Sequence, residues 1–270
     1  ESERSVMAYI PPYEGQNIAC TVLRIERSSI HDGSGFRTVV FFKGCPLRCR
    51  WCSTPESQSR QVETTKDGSK AYGQTMTVEE ILREVRKDIP FYFHSGGGMT
   101  LSGGEILAQP AAAAALLRQA RREGIHTAIE TSFYAPVTAV EEVLPYVQDA
   151  FVDLKLNDRE KHLAYCGAEN GSILYNLLHT NEMDWRGRLI LRVPVIPGVN
   201  DDPQELEQIA WFCTKLTRLD HIQLLPYHRL GVDTYRKLGR AYLLADTLVP
   251  TAEHMEACRA VIRKYYPHVI

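Results

Sequence analysis

Residues 36–52, with the sequence FRTVVFFKGCPLRCRWC, join a short run of β-branched and aromatic residues directly to a loop with three cysteines. The run at residues 36–42 is typical of a buried strand. Cys45, Cys49 and Cys52 follow it with the spacing C-x3-C-x2-C. Three thiolates on one short loop can hold three irons of a [4Fe–4S] cubane, which leaves the fourth iron without a protein ligand. That iron can bind a substrate, whereas a cluster with four cysteine ligands cannot.

Two other interpretations of the cysteine loop remain open, a structural zinc site and three unrelated cysteines. A zinc site usually has a second pair of ligands, such as C-x2-C or H-x3-H. The other cysteines, Cys20, Cys166, Cys213 and Cys258, stand singly in the sequence, and the nearest downstream histidine is His94. Because no second pair is visible, the sequence favours an iron–sulfur cluster.

Strand-like and helix-like segments alternate along the chain, which predicts parallel βαβ units. Eight strands would close a full barrel, so six predict an α/β fold with a partial (β/α)6 TIM-like barrel in a single domain. The six predicted strands are residues 36–42, 99–102, 126–131, 150–156, 188–196 and 221–225. We expect residues 1–22 to be an N-terminal extension and residues 23–270 to form the barrel.

Composition excludes several classes of function. The chain has 270 residues, 44% hydrophobic and 24% charged, as in an ordinary globular protein. A net charge of −2 gives no basic surplus for nucleic acid, and no stretch approaches the roughly 18 apolar residues of a membrane span. No secretion signal is visible in residues 1–7. Seven unevenly spaced cysteines favour a reducing, cytoplasmic compartment over a disulfide framework.

Distinctive polar residues fall at or just after the predicted carboxyl ends of several strands. In a parallel barrel the chemistry lies at this end, so we expect these residues to converge on one mouth. A glycine such as Gly104 lets a ligand approach the backbone, because it has no Cβ. Taken singly, each has a simpler explanation: a turn at Gly104, a salt pair between Asp153 and Lys155, and an ordinary hydrogen bond at His228.

Taken together, these motifs resemble those of the radical S-adenosylmethionine (SAM) superfamily. The segment GCPLRCRWC has its C-x3-C-x2-C signature, with an aromatic residue before the third cysteine. The resemblance implies a [4Fe–4S] cluster on Cys45, Cys49 and Cys52, with SAM chelating the open iron. It implies SAM contacts at Trp51, Cys52, Ser53, Gly104, Asp153, Leu154, Lys155 and His228, with Arg192 as a weaker candidate.

Within the superfamily, the chain resembles the activating enzymes of glycyl radical enzymes, the group of pyruvate formate-lyase activating enzyme. DGSGFR at residues 32–37 is similar to their DGPGIR element, and LLPYH at residues 224–228 matches the group. The resemblance implies that a 5′-deoxyadenosyl radical abstracts a hydrogen from a glycine of a partner enzyme. It also implies a monovalent-cation site at Glu130, Thr131 and Asp153, although Glu130 replaces the Asp of these relatives.

Many of these relatives carry a ferredoxin-like insert with further cysteines after the signature loop. No cysteine lies between Cys52 and Cys166, so we expect one cluster and a simple loop at residues 53–74. The resemblance implies flavodoxin or ferredoxin as electron donor, and we expect a monomer. Two alternatives remain: a radical SAM enzyme acting on a small molecule, and a non-catalytic iron–sulfur or zinc protein.

Overall fold

The computed structural model describes residues 11–270, so the first ten residues of the predicted N-terminal extension lie outside it. The strands are β1 (Ala19–Ser29), β2 (Arg37–Phe42), β3 (Glu63–Thr64), β4 (Ala71–Tyr72), β5 (Gln74–Thr77), β6 (Gly98–Gly103), β7 (His126–Thr131), β8 (Asp149–Asp153), β9 (Arg188–Val195) and β10 (Leu219–Pro226). The α-helices are α1 (Val78–Arg86), α2 (Ile89–Ser95), α3 (Pro110–Arg122), α4 (Val137–Val143), α5 (Arg159–Cys166), α6 (Gly171–His179), α7 (Pro203–Cys213), α8 (Val232–Lys237) and α9 (Ala252–Arg263).

The main sheet has eight strands in the order β10-β9-β8-β7-β6-β2-β1-β5. The six from β10 to β2 are parallel to one another, and they are the six strands that the sequence predicts. β5 and β10 form the two ends of the sheet, so the barrel stays open between them. The prediction of a partial barrel is therefore confirmed. None of the helices described here is both long and apolar enough to cross a membrane.

Two strands of this sheet were not predicted. β1 pairs antiparallel with both β2 and β5, and it crosses the boundary that the sequence analysis set between residues 22 and 23. We propose that any separate extension ends before Ala19. The prediction of a simple loop at residues 53–74 is also incomplete, because β3 and β4 form a small hairpin there. Charged residues interrupt β1 and hide its alternation of buried and exposed positions, since an antiparallel strand needs only one apolar face.

Helix α1 shows how the sequence fixes the helices around the sheet. Thr77 and Glu80 form a capping box, in which each side chain accepts a hydrogen bond from the backbone N–H of the other. The buried face follows helical spacing, with Val78, Ile81, Leu82 and Val85 packed into the core. The helix ends at Arg86, and a new helix with proline in its first turn, α2, starts at Ile89.

Candidate functional site

A cavity of about 590 Å3 lies inside the barrel, at the carboxyl ends of the strands and beneath the cysteine loop. Pockets of this size hold small-molecule ligands and cofactors. The sequence-predicted residues that line it are Cys45, Cys49, Trp51, Cys52, Ser53, Gly104, Glu130, Thr131, Asp153, Lys155, Arg192 and His228. Leu154, predicted as a SAM contact, is fully buried in the main core and does not line the cavity. Successive residues of an extended segment point to opposite sides, so Asp153 and Lys155 face the cavity while Leu154 does not.

The cysteine loop is fixed by backbone hydrogen bonds to distant segments. The N–H of Cys45 donates to the carbonyl of Gln58 at 3.0 Å, and the N–H of Arg48 donates to the carbonyl of Cys166 at 2.7 Å. The second bond ties the loop to the C-terminal end of α5. Both bonds satisfy polar groups that the irregular loop cannot pair internally, so they set the direction of the thiols.

Cys166 is far from the cysteine loop in sequence, but its side chain lies beside Cys49 in the structure. The assumption that Cys166 stands alone, which was used against zinc, is wrong. A hydrogen bond with the Cys166 thiol is the first cause, ahead of burial, that raises the pKa of the Cys49 thiol. Burial raises the pKa of Cys52 to about 11. Among residues 11–270, no three His, Cys, Asp or Glu side chains form a ready-made metal site. Because the pKa values of Cys49 and Cys52 are raised, these thiols must lose their protons when a cluster binds.

The donor set nevertheless fits a cluster with three thiolate ligands. The thiols of Cys45, Cys49 and Cys52 belong to one loop and line one cavity, which has room for a further ligand. The ammonium group of Lys155 lies in the same wall, 2.6 Å from a carboxylate oxygen of Asp153. Burial lowers the pKa of Lys155, but Asp153 and then Cys49 raise it by more, so the net pKa lies above its ordinary value. A charged Lys155 can therefore attract a carboxylate of the ligand.

The turn after β6 has glycines for a packing reason that the sequence analysis did not give. A Cβ on Gly104 would lie 2.5 Å from the carbonyl oxygen of Gly44 and 2.8 Å from that of Ser57. Such contacts are too close for any other residue, so Gly104 lets the end of β6 pack against the start of the cysteine loop. Its backbone also lines the cavity, and a SAM contact there stays a prediction.

Glu105 holds the end of β7 next to the cysteine loop, a role that the sequence analysis missed. Its buried carboxylate accepts hydrogen bonds from the hydroxyl of Thr131 and from both the N–H and the hydroxyl of Ser132, at 2.9 and 2.6 Å. Burial raises the pKa of Glu105, although these hydrogen bonds oppose the shift. Thr131 therefore turns its hydroxyl toward Glu105.

A chain of polar side chains crosses the inside of the barrel from β6 to β10. Ser102 donates to Glu130 at 2.6 Å, Arg192 pairs with the other oxygen of Glu130, and Arg192 donates to Gln223 at 3.1 Å. Ser102 and Gln223 were not predicted, although a polar residue at an inward position of an apolar strand is a signal for such a role.

This chain of contacts bears on the predicted monovalent-cation site. The carboxylate of Glu130 already has a cationic partner in Arg192, and the hydroxyl of Thr131 is bonded to Glu105. Asp153, the third predicted ligand, is paired with Lys155. The three residues line one cavity but do not form a common ligand set as the side chains stand. The cation site stays a prediction.

The two ends of the DGSGFR segment lie in different surroundings, one at the cavity and one in the core. Asp32 and its neighbour His31 line the cavity, at the side next to β1 and β2. Arg37 is completely buried, and its guanidinium donates to Thr100 at 2.6 Å and to the carbonyl of Met99 at 2.7 Å. Arg37 therefore joins β2 to β6, and it cannot contact a partner protein.

The comparison with known families decides the identity of this arrangement. Residues 39–210 match the family described as the radical SAM superfamily, and they span the cysteine loop and most of the barrel. The chain belongs to the radical SAM superfamily. Proteins of this superfamily use a [4Fe–4S] cluster and SAM, which together supply a 5′-deoxyadenosyl radical when bound.

Individual radical SAM relatives match between 64% and 93% of this chain. The isethionate sulfite-lyase activating enzyme of Oleidesulfovibrio alaskensis is 39% identical over 301 residues, with 93% of this chain and 96% of the relative covered. The (2S)-3-sulfopropanediol dehydratase activating enzyme of Klebsiella oxytoca is 36% identical, with 84% and 88% covered. A crystal structure of a domain of pyruvate-formate lyase-activating enzyme from Bacteroides vulgatus has a TM-score of 0.54 and 29% identity, over 64% of this chain and 98% of that one. The alignment with the O. alaskensis enzyme spans 301 positions and is longer than this chain of 270 residues. The O. alaskensis enzyme therefore has residues that this chain lacks.

Two residues outside the cysteine loop, Lys155 and His228, are expected to contribute to SAM affinity. Lys155→Ala and His228→Ala should each weaken SAM binding while the iron content stays near normal, because both line the cavity without belonging to the loop. Removing a polar interaction from a partly buried site costs about 1–3 kcal/mol, or roughly a tenfold to hundredfold decrease in affinity. Equilibrium binding of SAM to the reconstituted protein measures this decrease. Lys264→Ala, an exposed lysine just after α9, is the control. If SAM binds both variants as tightly as the control, neither residue belongs to the SAM site.

Proposed function

We propose that this chain activates a glycyl radical enzyme by removing one hydrogen atom from a specific glycine of that protein. The observation that carries the proposal is the position of Asp32. This residue belongs to the DGSGFR segment, which is similar to the DGPGIR element of such activating enzymes, and it lines the same cavity as the three cysteines. The relatives support the proposal, since those from O. alaskensis and K. oxytoca are both named activating enzymes.

Residues at different positions in the site would bind the cluster, SAM and the glycine peptide. Cys45, Cys49 and Cys52 would hold the cluster from above, while Lys155 and His228 orient SAM in the cavity below it. Asp32 lies where it can accept a hydrogen bond from the backbone of an extended peptide. A hydrogen atom moves in this step, so the chain needs no general acid or base for it. Its task is to position the groups and to exclude water.

The proposal also covers the reductant of the cluster, the oligomeric state and the location of the protein. We propose an acidic one-electron carrier, flavodoxin or ferredoxin, as the reductant of the cluster. We propose that the chain works as a monomer. A reducing, cytoplasmic location agrees with the seven cysteines, all of which are free thiols.

An anaerobic assay tests the proposal. The reconstituted protein receives SAM and dithionite, with and without isethionate sulfite-lyase or (2S)-3-sulfopropanediol dehydratase as candidate partner. We expect a glycyl radical signal in electron paramagnetic resonance and one 5′-deoxyadenosine for each radical formed. Asp32→Asn should reduce the radical signal more than it reduces SAM affinity, whereas the exposed control Asp246→Asn should change neither. Turnover of SAM on a small molecule, with no radical on any glycyl radical enzyme, would contradict the proposal.

A further inference from the structure

A second recess lies on the outer side of the cysteine loop and has not been assigned a role. This groove, of about 1170 Å3, is lined by Cys45, Arg48, Arg60, Tyr134 and Arg240 among others, and we call it the arginine groove. It is larger than the cavity of about 590 Å3 beneath the cysteine loop, which we call the SAM cavity. Among the described residues, Cys45 is the one that lines both recesses. The two recesses are therefore back to back, with a proposed cluster ligand in the wall between them.

The arginine groove carries positive charge in a chain that is slightly acidic overall. Its described lining residues include three arginines and no carboxylate. Arg48 and Arg60 are exposed. Arg48 donates to the backbone carbonyls of Cys45 and Leu47, so these contacts do not neutralise its charge. Arg240 is paired with Glu63, so the free charge of the groove comes mainly from Arg48 and Arg60.

We propose that the arginine groove is the docking site for a small acidic protein that carries one electron to the cluster. This inference rests on the proposed function, and it assigns the surface on which the reductant binds. A surface of one charge attracts a partner of the opposite charge and raises the rate of encounter. The carrier loses one electron and the cluster gains it, with no proton or bond exchanged. Cys45, a proposed cluster ligand, is half-buried and lines the groove, so a carrier bound there would lie close to the cluster.

The position of the groove also keeps the two protein partners apart. Asp32, where the glycine peptide is proposed to bind, lines the SAM cavity and not the groove. A carrier in the arginine groove would leave that region free. We therefore expect the carrier not to compete for the residue that binds the glycine peptide.

Charge reversal in the groove tests this inference. The probe is a flavodoxin, titrated anaerobically into the reconstituted protein at low and at high salt. Arg60→Glu should weaken flavodoxin binding about tenfold at low salt, with a smaller difference at high salt because salt screens exposed charges. Arg186→Glu is the matched control: its side chain is 91% exposed, and it precedes β9 at the opposite end of the barrel. Arg60→Gln, which removes the charge without reversing it, should give an intermediate affinity.

A kinetic comparison separates this inference from the proposed function. For Arg60→Glu, cluster reduction by reduced flavodoxin should fall relative to reduction by dithionite, since dithionite needs no docking surface. Equal flavodoxin affinity in Arg60→Glu and Arg186→Glu would overturn the inference, and so would a loss of affinity for the glycyl radical enzyme in place of flavodoxin. Failure of the wild-type protein to form any glycyl radical with dithionite would instead contradict the proposed function.

Discussion

Replacing Cys45, Cys49 or Cys52 by alanine is expected to abolish both the iron–sulfur cluster and the cleavage of SAM. Each thiol lines the cavity from the same loop, so the loss of any one leaves the cubane with two protein ligands. Iron and sulfide analysis, the visible absorption of the reconstituted protein and the yield of 5′-deoxyadenosine measure the effect. We expect all three signals to fall to background in each variant.

Cys166 supplies the most informative control for this result. Its thiol lies beside Cys49, so a site with four cysteine ligands would need it, whereas a cluster with an open iron would not. Cys166→Ala should therefore keep its iron and its SAM cleavage, as should Cys213→Ala, a buried cysteine in α7. Loss of the metal in Cys166→Ala would mean that the loop is part of a closed four-cysteine site, and the assignment of three ligands would be wrong.

Arg37→Ala should destabilise the whole protein. Burial lowers the pKa of Arg37 to about 10, so the side chain is still charged at neutral pH. Its removal would leave the hydroxyl of Thr100 and the carbonyl of Met99 buried without this donor. Each buried acceptor left without its donor costs about 1–3 kcal/mol, so we expect a decrease of about 2–6 kcal/mol in the free energy of unfolding. Chemical denaturation monitored by circular dichroism measures it.

The same variant decides between two roles of the DGSGFR segment. If Arg37 supports the fold, stability, SAM affinity and the glycyl radical signal should all fall together. Arg37→Lys should recover only part of the stability, because an ammonium group cannot reproduce the several directed hydrogen bonds of the guanidinium. A normal stability combined with a missing radical signal would place Arg37 at the partner interface and contradict the buried geometry.

The sequence predicted the fold where its signals are local. The six parallel strands are short runs bounded by turn or helix signals, and all six were predicted within a few residues of their ends. β1 was missed because Arg24, Glu26 and Arg27 lie within it and because it stands outside the parallel series. Its partner β5 has only four residues, mostly polar, so no pattern in the sequence marks it as a strand.

The candidate site was predictable where residues are grouped in the sequence, as in the cysteine loop. The residues that converge from different strands were predictable only in part. Glu105 follows the glycine turn directly, yet its bonds to Ser132 depend on how β6 and β7 pair. The contact of Cys166 with Cys49 depends on where α5 ends, and spacing along the chain carries no information about that.

The hydrogen bonds around the cysteine loop also bear on how the protein is made in the cell. Arg240 donates to the carbonyl of Pro55 at 2.8 Å across 185 positions of the chain, and it pairs with Glu63 in the β3–β4 hairpin. During synthesis the cysteines therefore leave the ribosome long before the residues that fix their surroundings. Contacts so distant in sequence form late in folding. We expect the cysteine loop to reach its final geometry only after the whole chain has been made, so stable insertion of the cluster would follow translation.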